Sequence, residues 1–133
     1  MITSGVQAKV IILSNCTIGD EILIKKKMDK SKFEKNEFII NINEKSVRHN
    51  IIRTDSYVKE SEKIMSGFPK ISSAEYQIEY SDSKYVKASG ERTTFSPKIT
   101  IEINLNDKTI IRTMETKVKT PSDYVYCGGG LIW

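Results

Sequence analysis

The sequence has little tryptophan, histidine, proline or cysteine, and it has no long apolar run. Its 133 residues include one tryptophan, one histidine, two cysteines and three prolines. One histidine and two distant cysteines do not supply the ligands of a structural zinc site. No apolar run reaches about 18 residues, the length that crosses a bilayer as a helix. We therefore expect no metal or other cofactor and no membrane-spanning helix.

Composition favours β-structure over helix. Isoleucine occurs 20 times and leucine 4 times, and β-branched isoleucine packs better on a pleated sheet than in a helix. Apolar residues make up 38% and charged residues 29% of the chain, which excludes a disordered or low-complexity protein. We therefore expect one folded domain over residues 1–133 with a substantial apolar core.

Alternating apolar and polar residues predict nine short strands joined by close turns. In the first strand, over residues 6–14, the segment Val10–Leu13 is apolar on both faces, which is typical of a central strand. The second, over 21–27, is expected to form a hairpin with the first. The other predicted strands are 37–43, 46–53, 73–80, 84–88, 98–105, 108–118 and 123–127. This spacing predicts an all-β fold, a single antiparallel sandwich or flattened barrel of about eight or nine strands.

The sequence predicts one short helix, over about residues 57–66. Asp55 or Ser56 is suited to cap its first turn. Gly67 occupies a position that favours positive φ after a helix, and Pro69 prevents continuation.

A basic segment is the first candidate binding site. The net charge is +4, and its excess lies at six lysines: Lys25, Lys26, Lys27, Lys30, Lys32 and Lys35. Such a cluster suits an anionic lipid surface, an acidic protein or phosphates. Because Phe33 is its only aromatic neighbour, nucleic-acid binding, which stacks bases on several aromatic rings, is the least favoured. The competing interpretation is a solvated loop that protects a strand edge from aggregation.

The second candidate site is the C-terminal tail, residues 128–133. Three glycines precede Leu131, Ile132 and Trp133, so a flexible hinge carries three large apolar side chains that need cover. Two interpretations remain open. The tail either folds back as a last strand on its own core or crosses to a neighbouring subunit as a subunit contact.

The two cysteines, Cys16 and Cys127, are the third candidate site, as a redox or disulfide pair. The first nine residues lack the basic and long apolar segments of a signal peptide. We therefore expect synthesis in the cytoplasm, with later release or assembly into a particle left open. Reduced, partly buried thiols are favoured in that compartment. The alternatives are a Cys16–Cys127 bond, which would close almost the whole chain into a loop, and a bond between subunits.

Signs of catalysis are few. The single histidine, His49, is expected on a strand surface, and no nucleophile elbow, phosphate-binding glycine loop or acidic metal triad accompanies it. Six tyrosines offer apolar faces with polar tips, which suit a sugar or lipid headgroup, but Tyr76 and Tyr80 are expected to pack within the sheet. The sequence therefore predicts a non-catalytic protein.

The opening segment, from Gln7 to Lys25, resembles the first hairpin of small cytolytic β-sandwiches of the aegerolysin type. The likeness is a strand-turn-strand pattern, and the tryptophan-rich, mostly acidic character of that family is missing here. The resemblance implies membrane-surface binding or pore formation.

These features predict a binding or assembly module, in the first place a self-associating structural β-subunit that forms homo-oligomers. Abundant strand edges and an apolar tail on a glycine hinge favour this function. Membrane-surface binding or pore formation is the first alternative. Nucleic-acid binding through the basic segment is the second.

Overall fold

The computed structural model describes residues 9–19, 27–90, 98–115, 122–128 and 131–132. Nine strands form a single curled antiparallel sheet, a half-barrel, and two more form a short parallel pair. The predicted all-β class is confirmed. The strands are β1 (Val10–Leu13), β2 (Thr17–Gly19), β3 (Met28–Asp29), β4 (Phe33–Asn41), β5 (Ser46–Arg53), β6 (Ile71–Ser81), β7 (Tyr85–Gly90), β8 (Ile99–Asn104), β9 (Thr109–Met114), β10 (Ser122–Tyr126) and β11 (Leu131–Ile132), with helix α1 (Asp55–Glu62) between β5 and β6.

The strand order across the large sheet is β1-β4-β5-β6-β7-β8-β9-β10-β2. From β4 to β10 each strand pairs with the next strand along the chain, so this part is a meander. Its concave face carries the core, because alternate residues of each strand point to that face. The fully buried side chains include Phe38, Ile40, Val47, Val86, Ala88, Ile101, Ile103, Ile110 and Val125.

The two edges of the sheet belong to consecutive strands. β1 pairs with β4 along one edge and β2 pairs with β10 along the other, although only residues 14–16 separate them. The sheet must therefore curl until its edges approach each other. One prediction is wrong here: among the described residues β1 is an edge strand rather than a central one. The predicted second strand, over 21–27, lies outside the described residues except for Lys27, so its hairpin with the first strand stays a prediction.

Connections differ between the two ends of the sheet. At one end, the short turns 42–45, 82–84 and 105–108 join neighbouring strands. The Asp82 carboxylate closes the second of these turns by accepting the backbone N–H groups of Lys84 and Tyr85. At the other end, the connections are longer and include α1. We call it the loop end.

Helix α1 begins and ends earlier than the predicted span of 57–66. Its N-cap is Thr54, rather than the predicted Asp55 or Ser56, and the Thr54 hydroxyl accepts the N–H of Tyr57 at 3.2 Å. The helix ends at Glu62, and Gly67, with φ of 76°, belongs to a later turn. None of the residues of α1 is buried. Its amphipathic signal was therefore too weak to place its bounds.

Candidate binding surfaces

β1 presents an apolar, uncharged edge. Its outward side chains Val10 and Ile12 are 46% and 57% exposed, whereas Ile11 and Leu13 pack against the core. Ile12 lies opposite Ile39 of β4, so apolar side chains continue from the edge onto the outer face. Lysine or proline commonly protects an exposed edge from pairing, but the strand VIIL contains neither. This edge is suited to pairing with a further strand.

A disulfide bond joins the two edges of the sheet. Cys16 and Cys127 are bonded to each other and are fully buried. They continue the register of β2 with β10, in which Thr17 lies opposite Tyr126. The expectation of reduced thiols is therefore wrong for this structure. Strand pairing places the two cysteines directly opposite each other, which a separation of 111 positions along the chain does not reveal.

Backbone hydrogen bonds reinforce this closure. The N–H of Gly128 donates to the carbonyl of Ser14 at 2.7 Å, and the N–H of Cys16 donates to the carbonyl of Asn36 at 2.9 Å. We call residues 14–16 and 127–128 the seam. The seam covers the end of β1 and leaves Val10 and Ile12 at the open edge.

A buried polar network joins the seam to the middle of the sheet. The carbonyl of Cys16 accepts a hydrogen bond from the side-chain amide of Asn36 at 2.9 Å, and Asn36 Oδ1 lies 2.8 Å from His49 Nε2. Since the Asn36 nitrogen donates, its oxygen accepts, and this network assigns the proton to His49 Nε2. The His49 ring stacks on Phe38 with 4.0 Å between centroids. The prediction of a surface histidine is wrong, because His49 is only 5% exposed.

Burial keeps His49 uncharged near neutral pH. Loss of hydration, followed by the positive charges of Arg112 and Arg53, lowers the pKa of His49 from 6.5 to about 4. Arg112 is held across the β9–β10 pair by Asp123, with 2.9 Å between Nη2 and Oδ2. A neutral imidazole that donates to an amide and stacks on a phenyl ring supports the core. At acidic pH the His49 ring can still take up a proton.

The structure places part of the basic segment beside α1 at the loop end. Lys30 and Lys32 line a cleft of about 520 Å³ that the first turn of α1 also borders, and Lys32 Nζ lies 5.8 Å from the centre of the Tyr57 ring. The other predicted lysines are Lys27 and Lys35, which are exposed, and Lys25 and Lys26, which lie outside the described residues. The structure therefore brings two of the six lysines to one cleft.

Three aromatic rings and an arginine attach α1 to the sheet. Tyr57 packs edge-to-face between Phe33 and Phe68, with centroid distances of 5.6 and 5.7 Å, and the Arg53 guanidinium lies 4.9 Å from the Phe68 ring. Sequence reasoning missed this cluster because its members come from separate segments. The remaining tyrosines lie elsewhere: Tyr76 in the core, Tyr80 and Tyr85 side by side on β6 and β7, and Tyr124 and Tyr126 on β10.

The connection from α1 to β6 is the most exposed apolar segment among the described residues. Ile64 is 92% exposed and Met65 is 54% exposed, and Ile71, the first residue of β6, is 67% exposed. Lys63 precedes Ile64 and forms an ion pair with Glu60 at 3.2 Å. An exposed apolar tip of this kind suits an interface with a protein or a membrane.

The C-terminal tail pairs with the basic segment of its own chain. Leu131 and Ile132 form β11, which runs parallel to β3 with Leu131 opposite Met28 and Ile132 opposite Asp29. This backbone pairing agrees with the alternative in which the tail folds back. Trp133 lies outside the described residues, and a subunit contact through Leu131, Ile132 and Trp133 stays a prediction.

Comparison with known proteins adds no assignment. No protein-family model, curated protein or solved structure matches the chain. Within the described ranges, no helix has the length and apolar character to cross a membrane. Those same ranges hold no group of three His, Cys, Asp or Glu side chains suited to a metal ion.

Proposed function

We propose that this protein is a non-catalytic, self-associating β-subunit that binds further copies of itself along a sheet edge. The observation that carries the proposal is the exposure of Val10 and Ile12 on an uncharged edge strand. Natural sheets protect such edges with charge, proline, bulges or a covering segment. β1 has no such residue within it, so a pairing strand is the cover that its chemistry fits.

Apolar burial and main-chain hydrogen bonding at this edge both favour association. Full burial of one valine or isoleucine side chain contributes about 1.5–3 kcal/mol, and about half of this remains to be gained at Val10 and Ile12. Two copies that bury both side chains therefore gain on the order of 4 kcal/mol. New main-chain hydrogen bonds add about 1 kcal/mol each. These gains are offset by the entropy lost on association.

We expect the native protein to be oligomeric and the variant Ile12→Lys to dissociate. The lysine ammonium group would have to be desolvated between two strands, so association should weaken at least about tenfold, or 1.4 kcal/mol. Light scattering coupled to size-exclusion chromatography measures the mass of each form over a range of concentrations.

The matched control is Ile111→Lys. Ile111 is also an outward isoleucine and is 37% exposed, but it lies on β9, which has neighbours on both sides. This variant should keep the native mass. A variant that lacks residues 129–133 but keeps the seam residue Gly128 tests the tail, and it should also keep the native mass if β1 forms the contact. A monomeric native protein would contradict the proposal.

A second candidate function, binding to an anionic membrane surface, is favoured by the exposed tip at Ile64 and Met65. The same end of the sheet carries Lys30 and Lys32 at the α1 cleft. Apolar side chains that enter the interface and lysines that contact anionic headgroups act together in surface-bound proteins.

For this candidate we expect co-sedimentation with vesicles that contain phosphatidylserine at low salt. The double variant Ile64→Ser/Met65→Ser should reduce the bound fraction at least about tenfold, because it removes two side chains that enter the interface. The control is Ile111→Ser, on the outer face of the sheet. Native protein that remains in the supernatant at low salt would exclude this function.

A further inference from the structure

The sequence of β1 and its position in the sheet disagree. Strands that are apolar on both faces usually lie in the interior of a sheet with both faces covered, and Val10–Leu13 has this composition. Among the described residues, however, β1 pairs only with β4. The outward side chains Val10 and Ile12 therefore have the character of buried residues in an exposed position.

The hydrogen bonds of β1 show which of its backbone groups face the open edge. The carbonyl of Lys9 accepts the N–H of Ile42 at 3.0 Å, so the main-chain groups of residue 9 point to β4. Alternate residues of an antiparallel strand point their N–H and C=O groups to opposite sides. Those of Val10, Ile12 and Ser14 therefore point away from β4. The bond from Gly128 to the Ser14 carbonyl agrees with this direction.

The seam limits how far a new strand can pair. Because the Ser14 carbonyl is already bonded at 2.7 Å to Gly128, the open part of the edge ends at Ile12. Val10 and Ile12 remain as the residues that offer both an N–H and a carbonyl to a partner strand. They are two positions apart, which is the spacing of successive hydrogen-bonding residues along an antiparallel ladder.

We propose that the occupant of this edge is β1 of a second copy, antiparallel, with Ile11 on the two-fold axis. This inference rests on the proposed self-association and specifies its interface. In this register, Val10 of each copy lies opposite Ile12 of the other, and each such pair exchanges two main-chain hydrogen bonds. All four exposed side chains then become cross-strand neighbours on the outer face.

The symmetry of the edge favours a second copy over an unrelated peptide. A two-fold interface uses the same patch on both subunits, so the patch must be self-complementary. Apolar Val10 and Ile12, with no charge within β1, meet this condition. The two half-barrels would then share one continuous sheet of eighteen strands, nine from each copy.

Cysteine cross-linking tests the register in the full chain. Cys16 and Cys127 are already bonded, so an introduced cysteine is the single free thiol. In Ile11→Cys the two new thiols face each other at a non-hydrogen-bonded pair, where Cα atoms lie about 4.5 Å apart. This distance permits a disulfide. We expect mild oxidation to convert most of the chain into a covalent dimer.

A second set of variants keeps the test valid if Ile11→Cys does not fold. Val10→Cys alone or Ile12→Cys alone places the Cα atoms of the two introduced cysteines about 7–8 Å apart on the diagonal, beyond disulfide reach. Neither variant should cross-link strongly. An equimolar mixture of the two should give the mixed dimer, because the thiol introduced by Val10→Cys in one copy lies opposite the thiol introduced by Ile12→Cys in the other. The Cα atoms of such a hydrogen-bonded pair lie about 5.5 Å apart.

The outcomes separate this interface from the proposed function. Cross-linking of Ile11→Cys, or of the mixture but neither single variant, supports the β1 pairing. An oligomeric native protein in which the mixture cross-links no better than the single variants overturns the register and leaves self-association standing. A monomeric native protein overturns both. Oligomerisation that persists in Ile12→Pro, which removes an outward N–H from the edge, also overturns the β1 interface.

Discussion

Replacement of both Cys16 and Cys127 by alanine is expected to lower the free energy of unfolding by roughly 5 kcal/mol. The bond joins residues 111 positions apart, and a cross-link that closes a loop of this length removes much of the conformational entropy of the unfolded chain. A typical domain is stable by only about 5–15 kcal/mol. Loss of this one bond therefore removes a large part of the total.

Chemical denaturation of the native protein and the double alanine variant measures this difference. Alanine is the suitable replacement because both side chains are fully buried and a serine hydroxyl there would need a partner. A thiol reductant should destabilise the native protein to a similar extent and leave the variant unchanged. Equal midpoints for the native protein with and without reductant, once thiol titration shows that the bond is broken, would contradict this prediction.

The elements that the sequence predicts well are those with regular alternation and clear turns. The predicted strand over 46–53 has the bounds of β5, and the strands predicted over 98–105 and 108–118 contain β8 and β9. In β8, Ile101 and Ile103 are buried, as a period of two requires. In these strands the local apolar pattern and the burial in the folded sheet identify the same residues, so the predicted strands agree with the structure.

The pairing of distant strands was beyond the reach of local patterns. Nothing in the segment Val10–Leu13 indicates that it pairs with β4, or that β2 crosses to the opposite edge. The bond between Cys16 and Cys127 depends on that crossing, which also brings the Cys16 carbonyl to the buried network of Asn36 and His49. The sequence identified the two cysteines as candidates, but only the curled sheet places them next to each other.

The misplacement of β1 has a physical reason that supports the functional proposal. The continuous apolar run Val10–Leu13 correctly indicates two apolar faces, and it predicts a central position. Among the described residues β1 pairs with β4 alone. If β1 of a second copy pairs along the open edge, Val10 and Ile12 gain apolar cross-strand neighbours on the outer face.

Acidification from pH 7 to pH 4 is expected to cost the native protein about 3 kcal/mol through His49 alone. An unfolded histidine takes up a proton below about pH 6.5, whereas burial holds the pKa of the folded His49 at about 4. Between these values the unfolded state binds more protons, so stability falls as the pH falls. Each unit of pKa difference corresponds to about 1.4 kcal/mol, which sets the size of the loss.

The variant His49→Gln isolates this effect, because glutamine keeps an N–H that can donate to Asn36 Oδ1 and does not titrate. Its unfolding free energy should be lower at pH 7, since the stacking on Phe38 is lost, but nearly constant from pH 6.5 to pH 5. His49 is the only histidine. Hydrogen bonds from Ser31, Lys70 and the Lys84 backbone lower the pKa values of Asp29, Asp55 and Asp82 respectively, so the stability that these carboxylates contribute is lost only below about pH 5. Denaturation curves at half-unit pH intervals therefore separate the loss through His49, which begins near about pH 6.5, from the loss through these carboxyls. An equal slope in the native protein and the variant would show that His49 does not resist protonation in the folded state.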